Sequence, residues 1–415
     1  MRVIGIIAEY NPFHYGHSWQ LQELRRRYAN TVGIIVVMSG SITQRGEICV
    51  FDKWDRARHA VRGGADLVLE LPFVFACRSA QDFARGGVSL LSRLGVVGHL
   101  AFGTETEDVG PLHKAALRTD SDDVQRCLSA YLEDGHSYAA ALSRALMRSA
   151  EISEDLLRAP NNILAIEYLR ALRQSASEMM PIAVPRRHAQ HNDTRLYRGI
   201  TSASSIRNTL FSPSPAWNVL CENVMEEVLH DLQKEHAAGL PREQMLLEFL
   251  RYVLLASSRS EITSIYGISE GIENRLIDHL YTADDYRSFL VQIATKRYPQ
   301  SRIARLVIYL LLRFKKVQAK CFDQAGASYI RPLAFNKCGR NLLRQMKEKS
   351  SLPIISRTAE YLTTDQRSGS WTEQSTLQKM LSFDTAATEL RILTLASANK
   401  KSFRTDFITS PQFLP

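Results

Sequence analysis

At 415 residues, 45% hydrophobic and 23% charged, the chain exceeds what one hydrophobic core usually organises and is too apolar for a disordered protein. Six cysteines stand without a Cys-x-x-Cys pair or a Cys/His cluster at ligand spacing, which argues against a zinc site or any other metal centre and against a disulfide framework. The net charge of +9 is unevenly spread: residues 296–349 hold fourteen Lys/Arg against two acids, a surplus of twelve, so the remainder is slightly acidic.

The opening apolar run, residues 3–8, is too short for the core of a signal peptide and leads straight into Glu9; it reads as a buried strand. Further strands are expected over 32–38, 67–71, 99–102 and 181–184, with helical spacing over 18–28, 53–61 and 82–94. Strands separated by helices imply an α/β, Rossmann-like fold with a parallel sheet and crossover connections. Residues 108–172 turn helical, as an insertion before the last strand. Ser212-Pro213-Ser214-Pro215 marks a boundary, and helices follow over 218–234, 242–257, 283–295 and 301–316. The expectation is a catalytic domain, 1–212, and a mainly helical, basic second domain, 213–415, with a weakly patterned end after about residue 356. No stretch approaches the roughly 18 apolar residues that span a bilayer, so a cytoplasmic protein without a membrane partner is expected.

Asn11-Pro12-Phe13-His14-Tyr15-Gly16-His17 follows the first strand and opens the first helix. Two imidazoles three residues apart at a helix start can both reach phosphate oxygens, and Gly16 removes a Cβ that would hinder a nucleotide. Fixed N–H donors there stabilise charge developing on an α-phosphate and on departing pyrophosphate. The competing interpretation is a pair of histidines that only cap a helix. A second motif, Thr201-Ser202-Ala203-Ser204-Ser205-Ile206-Arg207, puts hydroxyls at a helix start and a guanidinium one turn in, suited to β- and γ-phosphates. His14, His17 and Arg207 are thus the expected catalytic residues of an adenylyl transfer.

Together the motifs resemble the HIGH-type nucleotidyltransferase superfamily. Gly5-Ile6-Ile7-Ala8-Glu9-Tyr10-Asn11-Pro12-Phe13-His14, Gln44-Arg45-Gly46-Glu47, Leu67-Val68-Leu69-Glu70-Leu71-Pro72, Phe102-Gly103-Thr104-Glu105, Pro160-Asn161-Asn162 and Arg186-Arg187-His188 are similar to the bacterial tRNA(Met) cytidine acetate ligases. The resemblance implies two steps. Acetate attacks the α-phosphate of ATP to give acetyl-adenylate, and the acetyl group then passes to the wobble cytidine of elongator tRNA(Met), giving N4-acetylcytidine. It also implies an ATP site comprising Ile7, Ala8, Glu9, Tyr10, Asn11, Pro12, Phe13, His14, Gly16, His17, Gln20, Gly103, Asn162, Arg187 and Ser204, with Mg2+ accompanying the nucleotide. The chain departs from the family pattern at Tyr15, where Asn is common, at Asp52, where Ser is frequent, and at Ser204, in place of threonine.

Arg45 and Lys53, near the end of a strand, are candidates for holding the acetate carboxylate. The basic block fits tRNA, with Lys315 and Lys316 among its cations. Of its interleaved aromatics, Tyr298, Phe314, Phe322, Tyr329 and Phe335, most are expected in a helical core and one or two on RNA. Two other functions remain open at this level: a cofactor-type adenylyltransferase acting on a phosphorylated small molecule, and a non-enzymatic RNA-binding protein.

Overall fold

The computed structural model describes residues 1–29, 31–186, 201–368, 373–396 and 405–415. Its framework is set by β1 (Arg2–Ala8), β2 (Val32–Ser39), β3 (Leu67–Leu71), β4 (His99–Thr104) and β5 (Met180–Pro185), which pair in parallel. All eight residues of β2 are buried, as expected for a strand covered on both faces. Alternate residues serve opposite layers. Ile4, Ile6 and Val36 join the core beneath α1 (Tyr15–Arg27) and α2 (Lys53–Arg62), whereas Val3, Ile7 and Val37 join the larger core on the other face. Short α3 (Phe73–Ala76) and then α4 (Ala80–Arg93) precede β4. Between β4 and β5 lie α5 (Gly110–Arg118), α6 (Asp122–Glu133), α7 (Tyr138–Ala150), α8 (Glu154–Arg158) and α9 (Pro160–Gln174), which form the expected helical insertion.

The strand order is β5-β4-β1-β2-β3-β6-β7. From β1 the chain builds outward through β2 and β3, then returns to add β4 and β5 on the opposite side. The junction of β1 and β4 is therefore the switch point, where open α/β sheets leave a crevice at their carboxyl ends.

The division expected near residue 212 is not a division of this sheet. β6 (Pro332–Phe335) pairs antiparallel to β3, with Leu67 opposite Phe335, and β7 (Gln412–Phe413) pairs parallel to β6. These strands are too short to show periodicity, and they cover an edge of β3 that would otherwise stay open. The weak pattern expected after residue 356 also hides a long helix, Thr376–Thr394. Its buried residues, including Met380, Leu381, Phe383, Leu390 and Ile392, fall on most of its faces, so it has no amphipathic stripe to read. Within the basic block, Tyr298, Phe314, Phe322 and Tyr329 are buried core residues, and Phe335 is half-buried against Phe413.

Buried charges bind the late segments to the early ones. Lys53 Nζ lies 2.8 Å from Glu70 and 2.5 Å from Asp406; Arg331 pairs with the same two carboxylates at 2.8 and 2.5 Å. All four side chains are at most 2% exposed. Asp384 beside them accepts from Phe73 N–H at 2.7 Å and from the Tyr329 hydroxyl. Burial, reinforced by Glu70, pushes the Asp384 carboxyl up to about 8. With Asp384 protonated, the charges of the cluster cancel.

Candidate active site

At the carboxyl ends of β1 and β4 opens a cavity of about 1250 Å³. The start of α1 forms one wall. His14 is the N-cap: its Nδ1 accepts the Gly16 N–H at 3.0 Å, while Nδ1 of His17 accepts the His14 N–H at 3.3 Å. The two rings stack with centroids 3.7 Å apart. A nitrogen that accepts a backbone N–H carries no proton, so in each neutral ring the proton sits on Nε2. Burial, together with the Arg186 cation, holds His14 down to about 3; burial, His14 and Arg186 hold His17 well below the ordinary range. Capping is therefore compatible with anion binding: the caps fix the tautomer that puts the N–H donor of each neutral ring on Nε2.

The second motif begins α10 (Ala203–Leu210), whose N-cap Ser202 accepts the Ser205 N–H at 3.1 Å. From it, Arg207 reaches back to the first motif: Nη1 donates to the Asn11 carbonyl at 2.7 Å and Nη2 to Glu47 at 2.7 Å. Asn11 in turn accepts the Val50 N–H on Oδ1 at 2.9 Å. The hydroxyl of Ser204 lies 3.5 Å from Arg207 Nη2, so the serine keeps a hydroxyl beside the guanidinium. Asp52 caps α2 by accepting the Asp55 N–H at 2.9 Å.

Of the expected nucleotide site, Ile7, Ala8, Glu9, Tyr10, Asn11, His14, Gly16, His17, Gln20, Gly103 and Ser204 line the cavity together with Arg207. Three others do not. Pro12 lies outside the lining, and Phe13 is wholly buried, with Gly63 so close that any Cβ there would overlap its ring. Asn162 accepts the Glu105 N–H at 2.9 Å and donates to the Leu156 carbonyl at 3.2 Å, so it holds the loop after β4 instead of facing the cavity. Arg187 falls outside the described residues; its neighbour Arg186, which sequence reasoning passed over, lines the cavity beside Gly103.

The acetate candidates separate as well. Arg45 lines the cavity, but Lys53 is excluded from it, its ammonium engaged by Glu70 and Asp406. Sequence reasoning also missed the far wall, Pro299, Ser301, Arg302, Arg305, Leu306 and Tyr309, contributed mainly by the helix Gln300–Leu311. Its one sequence signal was the basic block. Among the described residues, His59, Glu227 and Asp231 are close enough to share a cation, but they lie off the cavity and Arg58 already pairs with both carboxylates.

Residues 1–406 match the HIGH Nucleotidyl Transferase family. A tRNA(Met) cytidine acetate ligase of Syntrophomonas wolfei is 35% identical over 427 residues, spanning 99% of each chain, and one from a Thermoanaerobacter species is 36% identical over 98% of each. The chain belongs to the tRNA(Met) cytidine acetate ligase family. Two solved structures agree along its whole length. Thermotoga maritima TmcAL in its apo form superposes with a TM-score of 0.89 at 31% identity, and the same protein bound with alpha-thio ATP with 0.87 at 30%, each covering 100% of both chains. Family members therefore share the Rossmann-like α/β nucleotidyltransferase fold seen here.

Proposed function

We propose that this protein is an ATP-dependent ligase that makes acetyl-adenylate from acetate and ATP and delivers the acetyl group to the wobble cytidine of elongator tRNA(Met), giving N4-acetylcytidine. The observation that carries this reading is the pair of neutral histidines whose Nε2–H groups have no partner among the described residues at a helix N-terminus, tied through Asn11 to Arg207. Such donors match the charge that builds as acetate displaces pyrophosphate from the α-phosphate, and they need no reorganisation. Full-length similarity to chains named as tRNA(Met) cytidine acetate ligases supports the acceptor.

Arg45 is the proposed partner of the acetate carboxylate. Mg2+ is proposed to travel on the triphosphate with its waters; Glu47, on the wall beside Arg207, is the carboxylate that would meet it. Residues 213–415, apart from the strands they lend to the sheet, are proposed to carry the tRNA, with exposed Lys315 and Lys316 among the phosphate contacts. No helix among the described residues is long and apolar enough to cross a membrane, which is consistent with a cytoplasmic tRNA-modifying enzyme.

Incubating the protein with ATP, labelled acetate and tRNA(Met), followed by nucleoside analysis, tests the reading. Labelled N4-acetylcytidine is expected; its absence refutes the assignment. Release of pyrophosphate that depends on a phosphoester instead of acetate would point to the cofactor-type adenylyltransferase.

A further inference from the structure

The cavity is larger than its nucleotide motifs require. Pockets for one small molecule run to roughly 300–1,000 Å³, below the 1250 Å³ found here. Past Glu9 the lining continues along Ser79–Phe83 at the start of α4, Glu167 and Tyr168 on α9, and Tyr266, Arg305 and Tyr309. None of these belongs to either phosphate motif. This lobe also leads outward, because Tyr266 and Gly267 line a second, shallower hollow of about 470 Å³ together with Lys316 and Lys320. Both lysines are exposed and stand one turn apart on the helix Lys316–Ala325. Two cations thus border the hollow that shares Tyr266 and Gly267 with the cavity.

Glu9 lines the cavity and is linked through Gln44 to Arg78 and to Arg305 on the far wall. Its backbone carbonyl is held by Arg56 at 2.6 Å, and its Oε1 accepts the Gln44 N–H at 2.5 Å. Gln44 is fixed in turn, its side chain donating to the Arg78 carbonyl at 2.6 Å and its own carbonyl accepting from Arg305 at 3.2 Å. Among the described residues Oε2 has no hydrogen-bond partner, and the side chain keeps partial exposure on the cavity it lines. Arg45, Glu47 and Arg207 act on it electrostatically; Tyr168, Cys49 and Cys77 are near enough to feel its charge. Burial raises its carboxyl above the usual range.

We propose that the lobe between Glu9 and Tyr266 seats the acceptor pyrimidine, and that Glu9 is the base that takes the proton from its exocyclic amine. The inference rests on the proposed function and supplies its second half-reaction. The amine's lone pair is spread into the ring, so it attacks only as it loses a proton. The nitrogen bonds to the carbonyl carbon of acetyl-adenylate, the bond from that carbon to the phosphate oxygen breaks, AMP leaves, and one amine proton passes to Glu9 Oε2. Arg305, on the same wall, offers N–H donors for the acceptors at the pyrimidine ring nitrogen and carbonyl, while Tyr266 and Tyr309 present aromatic surface to its face.

The test compares two acceptors of one adenylate. Hydroxylamine is nucleophilic without a base and traps acetyl-adenylate as acetohydroxamate; tRNA(Met) is not. In Glu9→Gln the amide oxygen keeps the Gln44 contact, so the fold is retained. The ratio of tRNA acetylation to hydroxamate formation is expected to fall about 100-fold, the scale of a lost general base. Glu9→Asp should restore part of that ratio, with a rate that rises with pH as in the parent. Equal losses in both assays, or a ratio within about threefold of the parent, overturn the inference while leaving the proposed function standing. A parent protein that makes no acetate-dependent hydroxamate overturns the proposed function, and the inference with it.

Discussion

Replacing Lys53 by methionine separates an architectural lysine from a substrate-binding one. The substitution keeps the side chain's length but leaves Glu70 and Asp406 facing Arg331 alone, with one uncompensated negative charge among side chains that are at most 2% exposed. Removing one partner of a buried ion pair costs about 3–5 kcal/mol, a fifth or more of the roughly 5–15 kcal/mol that holds a folded chain together. With an unfolding entropy near 2.1 cal/mol/K per residue, 415 residues give about 0.9 kcal/mol/K, so Tm should drop by about 3–6 °C. The deficit should also depend on pH. In the variant, the orphaned carboxyl has a folded pKa above its unfolded value, so its protonation favours the folded state at low pH, and the gap to the parent narrows from pH 8 to pH 5. Calorimetry or thermal melts at the two pH values read both effects. A Tm within about 1 °C of the parent, together with a tenfold rise in the KM for acetate, would refute the reasoning and return Lys53 to the active site.

Arg207→Lys keeps the charge but loses the fork that joins Asn11 to Glu47, and acetate-dependent pyrophosphate release should fall about 100-fold while circular dichroism is unchanged. His14→Asn preserves an N-cap but removes a donor aimed at the cavity, so kcat for the same step should drop by about 10²–10³ with helix content intact. Because both histidines are neutral when folded and their pKa values are depressed, they disfavour the folded state on acidification. Stability should decline as pH falls from about 6.5 toward 3, and saturating ATP analogue should not shift that window upward; a melt series from pH 7 to 4 measures it. Reversing Lys316 and Lys320 to glutamate should weaken tRNA binding and lower the slope of log affinity against log salt by about 2, read by filter binding at several salt concentrations.

The first five strands were legible because each is a short, nearly unbroken apolar run between helical stretches, which is what a parallel strand covered on both faces requires. β6 and β7 were not, since four and two residues carry no period; β6 is set by its pairing with β3 more than 260 positions away, and β7 by its pairing with β6. The phosphate motifs were legible as local patterns, and their caps form as the spacing implies. Neither the tautomers nor the bridge from Arg207 to Asn11 could be read, because both depend on which backbone group meets which side chain. Arg186 was passed over because a basic dipeptide carries no register: only the pairing of β5 with β4 decides that Arg186 follows the strand beside Gly103, while Arg187 lies outside the described residues. Lys53 misled for a related reason, since its partner Asp406 stands 353 positions later.

The antiparallel join of β3 to β6 also has a consequence in time. Residues 67 and 335 pair in the finished sheet, and a ribosome adding about 5–20 residues per second needs roughly 13–54 s to pass from one to the other. Throughout that interval the nascent chain carries Leu67-Val68-Leu69-Glu70-Leu71 as an uncovered, apolar edge, the kind that pairs readily with another chain. Glu70 is the one charge in that strand. A charge in that edge opposes premature pairing with another apolar strand, and Arg331, joining the earlier Lys53, converts that guard into a latch.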